Sequence, residues 1–488
     1  MILNKQYQLL ALSLVFSVTG LIKTQAKAAT LVSYCYMDDT TKKIEGKNIH
    51  TKYPVASVSK LLTSLIAATS YSLDHKFVTQ IFANPVGDGT FDVHIKGSFD
   101  PYFNRQKMHM VISRLNQAGV SSIRTLSFDE NVKYIHDTDT RAGFYVGKKL
   151  IRPLILKEKL TFPEPSLVEA QLKQTSVVLQ GYSQTVASAK QHGIKMVTNP
   201  KFKFNKIKFV KSEDFEKEGL NSKTIRLYVT SQDLKTIIKS MNWNSNNFAA
   251  NRLLEASGGL NKMSRTYSEF FKLPASEFSF VNGSGQNHDL TGQGRLYNEA
   301  SCNVVVRSIR GLKAAVEHYK YNFEDVVAVM GADRGSTVAG STYTNPATQQ
   351  KVAAKTGTIG THVTLAGMIY GKSPKFFMYN VAVNGSTADE NAARRLIAQE
   401  LKKLVISVGG KAIKYVSENP LKEYSENYDL NALMQVGLYV DKAPYSPFIN
   451  KPNYSFIAPS NTPMMDKMEI NFQKSPILKS FLQQKNRQ

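Results

Sequence analysis

The sequence predicts a mixed α and β fold, with helices laid on a sheet and an insertion within it. Three observations lead there. Amphipathic helical segments and apolar strands share one chain of 488 residues, long enough for two or three domains. They fall in two blocks, before about residue 105 and after about 225, around a lysine-scattered stretch of different texture. In the second block, VTLAGMIYG and FFMYNVAVNG are separated by Gly371, Lys372, Ser373 and Pro374, as a hairpin turn separates two strands. Helices covering a sheet are the arrangement that buries both patterns.

In chain order, MILNKQYQLLALSLVFSVTGLIKTQAKAA reads as a secretory signal peptide over residues 1–28. Lys5 supplies the positive start, Leu9 to Ile22 the apolar core, and Ala26-Lys27-Ala28 the small-x-small cleavage site. An uncleaved anchor is the competing reading, but Ser13, Ser17, Thr19 and Gly20 interrupt a core that is short for a bilayer span. The mature protein is therefore expected to be exported, to the periplasm, and soluble. LVSYCYMD (31–38) reads as a strand, with a polar turn region from Asp38 to Lys47. SVSKLLTSLIAATSYSL follows as a buried helix, because Val58, Leu61, Leu62, Leu65 and Ile66 recur at helical spacing.

Between 106 and 225 the runs SVVLQGYSQT (176–185) and KFKFNKIKFVK (201–211) read as β-like, the second with one basic face. This stretch is expected to be an inserted, strand-rich domain. Helical texture returns in SQDLKTIIKSMNW (231–243) and in NNFAANRLLEASGG, whose glycine pair suits a C-cap. VVVRSIRGLKAAVEHY (304–319) carries Val305, Ile309, Leu312 and Val316 on one stripe, and NAARRLIAQELKKLV (391–405) is amphipathic. Residues 29–105 and 226–410 thus form one domain, and 411–488 is an extension of unknown order, rich in Asn, Lys, Tyr and Pro.

Lys and Arg number 62 against 38 Asp and Glu, a formal charge of +24. On an exported chain that points to peripheral association with the anionic cell envelope, or to simple solvation, and away from nucleic acid. The two cysteines, Cys35 and Cys302, could pair in an oxidising compartment, which their spacing leaves open. No Cys/His cluster has zinc spacing, so neither metal nor cofactor is expected.

Chemistry enters at Ser57-Val-Ser-Lys60. Side chains three apart on a helix share a face, so the serine and lysine meet. A lysine on an apolar face loses hydration, which lowers its pKa and frees a neutral amine to take the serine proton. Roughly two such pairs are expected by chance in a chain this long, so the pair alone decides nothing. A second signal is Lys355-Thr356-Gly357-Thr358, in KVAAKTGTIG before an apolar strand. On an edge strand the glycine permits close approach, and the lysine and threonine present donors to a carboxylate. Ser-x-Asn occurs at Ser240, Ser245, Ser301, Ser417 and Ser425; order leaves the first three, and Ser245-Asn246-Asn247 opens a helix immediately after MNWN.

Ser-x-x-Lys, Ser-x-Asn and Lys-Thr-Gly in that order form the signature of penicillin-binding proteins and serine β-lactamases. KYPVASVSKLLTSLIAA, IKGSFDPYF (95–103), SNNFAANRLLEASGG, VNGSGQN (281–287), MGADRGSTVAG (330–340) and KTGTIGTHVTLAGMI are six ordered motifs. Together they resemble the D-Ala-D-Ala carboxypeptidase/endopeptidase family, the class C low-molecular-mass penicillin-binding proteins, over residues 30–105 and 230–405. This chain departs from the pattern at Asn246, Asn282 and Gln286, in the inserted TGQGRLYN, and in a short Ser57-to-Ser245 spacing.

The resemblance implies an α+β transpeptidase-like domain, an antiparallel sheet with helices on both faces plus a helical subdomain. It implies a serine-type carboxypeptidase and/or DD-endopeptidase acting on peptidoglycan stem peptides, with β-lactams as covalent inhibitors. Ser57 would be the nucleophile and Lys60 its base; Ser245 and Asn247 would relay a proton and hold the substrate amide. Lys355 and Thr356, beside Gly357, would bind the terminal carboxylate, and the N–H groups of Ser57 and Thr358 would form an oxyanion hole. His288, His362 and Asp100 are expected to be ordinary polar or turn residues. Two rival readings are a β-lactamase, for which Glu299-Ala-Ser-Cys-Asn303 only mimics a deacylation motif, and a catalytically silent envelope-binding protein.

Overall fold

A computed structural model describes residues 30–133, 144–146, 149–151, 164–191, 193, 195–218, 220–288, 295–340, 342–417 and 437–439. The expected signal peptide and most of the extension lie outside these residues. The chain enters on β1 (Thr30–Asp38) and β2 (Ile44–Lys47), and a 3-10 turn at Ala56–Val58 leads into α1 (Ser59–Ser70). Then come β3 (Lys76–Gly87), β4 (Thr90–Lys96), α2 (Arg105–Gln117), β5 (Ser122–Phe128), β6 (Phe204–Phe209) and β7 (Ile225–Asp233). The main later elements are α3 (Leu234–Asn244), α4 (Asn247–Ala256), α5 (Cys302–His318), β8 (Val352–Ile359), β9 (His362–Ile369), β10 (Lys375–Ala382), α6 (Thr387–Ser407) and β11 (Gly437–Tyr439).

Side-chain caps explain where the helices start. Asn104, Asp233, Asn246, Ser301 and Ser386 each accept a backbone N–H from the first turn of α2, α3, α4, α5 and α6 respectively. Helix α1 has no such cap. The serine hydroxyl at its mouth is therefore not taken up by helix capping.

Two bodies result. In the first, β8-β9-β10-β1-β2 form an antiparallel sheet. Alternation along β1 sends Cys35 and Met37 into a core shared with α1 and α5, while Tyr34 and Tyr36 lean on the core that Ala393, Ile397 and Leu401 of α6 complete. Helices thus cover both faces, the α+β arrangement the sequence predicts. In the second, the order is β11-β7-β3-β4-β5-β6, with β5 parallel to both neighbours. Ile81, Val93, Ile95, Leu126 and Leu227 pack there against Met108, Val111, Ile112 and Leu115 of α2. Lys133 reaches back from this body to Glu255 of α4, 2.8 Å away.

The structure bears on several expectations and corrects one of them. The second sheet begins at Lys76 and ends at Asp233 before the tail adds β11, wider than the 106–225 insertion. The run 176–185 is not a strand. It spans the end of a helical turn (Thr175–Val178) and the start of a helix (Tyr182–Gln191), with Val178, Tyr182, Thr185 and Ala189 buried at helical spacing. The extension is docked over its first residues, where Lys411 and Ile413 donate backbone N–H groups to Tyr370 and Gln350 carbonyls at 2.8 and 2.9 Å. The cysteines, left open by spacing, pair: Cys35 of β1 and Cys302 of α5 form a buried disulfide with 5.9 Å between Cα atoms. Among the described residues no helix is long and apolar enough to cross a membrane.

The disulfide spans 267 residues, and closing so long a loop removes much entropy from the unfolded chain. Replacing both cysteines by serine is expected to lower stability by about 2–5 kcal/mol in urea denaturation of the oxidised protein.

Candidate active site

The nucleophile turn is fixed to the sheet before it reaches the serine. Asn380 Nδ2 and Thr364 Oγ1 donate to the Pro54 and Val55 carbonyls, each at 3.0 Å, and the Val55 N–H donates to Asn298 O at 3.0 Å. Ala56 then adopts a left-handed backbone, φ +48°, a conformation that costs a residue with a Cβ. Ser57 follows at the mouth of α1.

Lys60 lies directly behind it and is completely buried. Its Nζ sits 2.8 Å from Ser57 Oγ, 2.6 Å from Asn247 Oδ1 and 3.2 Å from the Ser284 carbonyl. Amide and carbonyl oxygens only accept. Two N–H groups of a neutral amine directed at Asn247 and Ser284 leave its lone pair for the Ser57 hydroxyl. That is the state a general base requires.

Each partner of Lys60 is itself held. Asn247 opens α4 behind Asn246, whose side chain caps the helix by accepting from the Ala249 N–H at 3.1 Å. Asparagine and aspartate are equally good caps, which accounts for the departure at Asn246. Ser245 is the left-handed C-cap of α3, φ +58°, and this turn puts α4 at an angle to α3 with Ser245 facing the cleft. On the other side, Asn282 Oδ1 accepts from the N–H groups of Ser284 and Gly285 at 3.0 and 2.9 Å. An asparagine therefore closes the turn as an aspartate would. Buried Asn298 accepts from the Val281 and Asn282 N–H groups and donates to the Asn282 carbonyl. Thr63 of α1 donates to the Gly283 carbonyl at 2.7 Å. A side chain at Gly285 would lie 2.0 Å from the Ala56 carbonyl, so only glycine lets this turn meet the nucleophile turn.

The opposite wall is β8, the edge strand of its sheet. A Cβ on Gly357 would fall 2.2 Å from Thr364 Oγ1 and 3.0 Å from the Ser57 nitrogen. The glycine is what allows the Lys-Thr-Gly strand to press against the nucleophile turn. Lys355 is fully buried, and burial lowers its pKa to about 7. Its Nζ donates to the Thr356 carbonyl at 2.8 Å. Thr358 is exposed, and its Oγ1 accepts from Arg394 Nη2 at 3.2 Å.

Ala56, Ser57, Ser245, Asn247, Ser284, Gly285, Thr358 and Ile359 line a cleft of about 130 Å³. Of the residues singled out in the sequence, Ser57, Lys60, Ser245, Asn247 and Thr358 converge there. Lys355 lies beneath the strand, Thr356 is half-buried beside it, and Asp100 is a buried turn residue paired with Lys107 at 2.6 Å. Sequence reasoning assigned no role to the Ser284 carbonyl, Asn298 or Arg394. The Gly-Ser-Gly turn was the available signal for the first, and nothing in the sequence marks the other two.

A sheet with helices on both faces and a serine–lysine pair at its edge strand define the penicillin-binding-protein and serine β-lactamase class. A family model described as the D-Ala-D-Ala carboxypeptidase 3 (S13) family matches residues 26–143, and one described as a β-lactamase enzyme family matches residues 207–405. A predatory endopeptidase from Bdellovibrio bacteriovorus, solved in complex with an immunity protein, is 30% identical; the match covers 80% of this chain and 97% of that one, with a TM-score of 0.69. The same endopeptidase acylated by penicillin G matches at 30% identity, 80% and 97% coverage and a TM-score of 0.67. Penicillin-binding protein 4 from Haemophilus influenzae, 14% identical over 79% and 99% with a TM-score of 0.52, shares the fold. No curated protein matches the sequence. The chain belongs to the D-Ala-D-Ala carboxypeptidase 3 (S13) family.

Two outcomes follow from the β8 wall. Lys355 binds fewer protons folded than unfolded between pH 7 and its ordinary value of 10.5, so folding should become more favourable as pH rises through that window. Wild type should gain on Lys355→Met by up to about 1.4 kcal/mol per pH unit there, read from urea denaturation at pH 7.5, 8.5 and 9.5. Gly357→Ala should slow acylation by benzylpenicillin about a hundredfold through displacement of the nucleophile turn, measured by stopped-flow competition.

Proposed function

We propose that this serine DD-peptidase hydrolyses the bond after the penultimate D-alanine of peptidoglycan stem peptides, through an acyl-enzyme on Ser57. The observation that carries this reading is the Lys60 amine, 2.8 Å from Ser57 Oγ and backed by two acceptor oxygens. Ser57 Oγ attacks the carbonyl carbon and passes its proton to Lys60 Nζ. The oxyanion lies between the N–H groups of Ser57 and Thr358, where fixed donors meet the developing charge. As the tetrahedral species collapses the C–N bond breaks, and the proton moves from Lys60 through the Ser245 hydroxyl to the leaving amine. A water then attacks the ester carbonyl and gives its proton to Lys60; as the bond from the acyl carbon to Ser57 Oγ breaks, Lys60 returns that proton to Oγ, which restores the serine hydroxyl and the neutral amine and releases the carboxylic acid. Asn247 holds the lysine and the substrate amide together.

The leaving group is free D-alanine in carboxypeptidase action and a cross-linked peptide in endopeptidase action. The endopeptidase activity of the Bdellovibrio relative supports the second. An enzyme of peptidoglycan works outside the cytoplasm, which agrees with a signal peptide over residues 1–28. The excess of Lys and Arg supports peripheral contact with the anionic envelope. β-Lactams enter as carbonyl compounds that acylate the same serine, as penicillin G acylates the relative.

Intact-mass spectrometry after benzylpenicillin should show one adduct on wild type and none on Ser57→Ala. Digestion of purified peptidoglycan should release D-alanine or uncross-linked muropeptides with wild type, while Lys60→Met loses about 10³-fold or more of the rate. Rapid nitrocefin turnover without a lasting adduct would instead make the chain a β-lactamase.

A further inference from the structure

A DD-peptidase substrate carries a carboxylate on the residue that departs, one carbon from the scissile nitrogen. The resemblance gives that anion to Lys355 and Thr356. The geometry suits Lys355 poorly: its Nζ is enclosed and donates to the Thr356 carbonyl, and its burial favours the neutral amine. A permanent cation stands beside the same strand, at Thr358. Arg394, on α6, donates from Nη2 to Thr358 Oγ1 at 3.2 Å, and Thr358 lines the cleft together with Ser57.

Three features fit Arg394 to an anion. Its side chain is 26% exposed, and it is aimed by Glu390 Oε2 at 2.8 Å and Asn391 Oδ1 at 2.9 Å, both from its own helix. A guanidinium carries five donors, more than these three contacts use, and stays charged throughout the working pH range. The pair with Glu390 is partly solvated on both sides, so it orients the fork while the carboxylate offsets only part of its charge. The Thr358 oxygen, having accepted from Arg394, is left with its own O–H to donate into the cleft.

We propose that Arg394 specifies the substrate's carboxylate, turning the Thr358 hydroxyl into a donor and supplying the positive charge beside the departing residue. This rests on the acyl-enzyme reading of Ser57. Arg394 acts at the carboxylate end of the cleft and takes no part in proton transfer.

The test compares acylation of the full-length protein by benzylpenicillin with acylation by its carboxyl methyl ester, which presents the same ring without the anion. Arg394→Met should lower the second-order rate for the acid by roughly 10- to 100-fold, the size of a lost charged hydrogen bond, and that for the ester less than threefold. Arg394→Lys should recover part of the acid rate, because it restores charge without the fork. Equal losses for acid and ester, or no loss for either, would overturn the assignment. Absence of a Ser57 adduct with wild type and either compound would remove the acyl-enzyme reading, and this assignment with it.

Discussion

The buried amine of Lys60 is the constraint on which the rest of the site depends. A lysine nitrogen taken out of water must find acceptors, or burial costs several kcal/mol. Its acceptors come from residues 57, 247 and 284, far apart in the chain. The fold must therefore bring the mouth of α1, the start of α4 and the Gly-Ser-Gly turn to within 3.2 Å of one atom. What surrounds them follows from that demand. Asn246 and Asn282 tie down two of the partners, Asn298 and Thr63 bind the turn backbone, and Gly285 removes the side chain that would keep the turn away. Strain is accepted at Ala56 and Ser245, both on the cleft and both in a left-handed conformation. Such outliers persist only where surrounding contacts over-determine the backbone, which is the case at both positions.

The two motif lysines show how one residue type acquires two environments. Lys60 faces two oxygens that can only accept and one hydroxyl that can also give a proton, an arrangement in which a neutral amine keeps its lone pair for Ser57. Lys355 is equally buried, but its Nζ donates to the carbonyl of the next residue, and desolvation dominates, drawing its pKa to about 7. A cation that half-titrates near neutrality makes an uncertain anchor for an anion. The geometry at Thr358 moves that duty to an arginine, whose charge does not titrate in this range.

Much of this was legible in the sequence. The amphipathic helices and the hairpin at 371–374 led to helices on a sheet, because period and turn chemistry act locally; helices on both faces came from the resemblance that the ordered motifs carry. Ser57 and Lys60 were singled out because their spacing has a chemical reason, and Ser245 and Asn247 because order and the resemblance selected them among the Ser-x-Asn patterns. The stretch 176–185 was misread for an equally physical reason. Its buried stripe runs Val178, Tyr182, Thr185 and Ala189, and a polar threonine breaks the apolar count. Burial of Thr185 is helped by His109 Nδ1, which meets its hydroxyl at 2.8 Å from 76 residues away, beside the hydroxyl's own bond to the Gly181 carbonyl at 3.4 Å. Arg394 was invisible for the same reason: it belongs to the site through a contact 36 residues distant, and its own helix reads as an ordinary solvated face. Long-range pairing decided both, and it also settled Cys35 with Cys302, which spacing had left open.

The docked start of the extension bears on the site through one carboxylate. Tyr415 and Ser417 donate to Asp333 Oδ1 at 3.0 and 2.7 Å. Its other oxygen accepts from the Val329 N–H at 2.7 Å and from Lys239 at 2.6 Å. Lys239 lies on α3, and it also donates to the carbonyls of Glu324 and Val327. Asp333 is completely buried, so each donor offsets part of the cost of holding its charge there. The residue that closes α3 is Ser245. A tail that reads as a featureless polar run thus helps to seat the helix on which the Ser-x-Asn motif depends, with Ser245 six residues beyond Lys239.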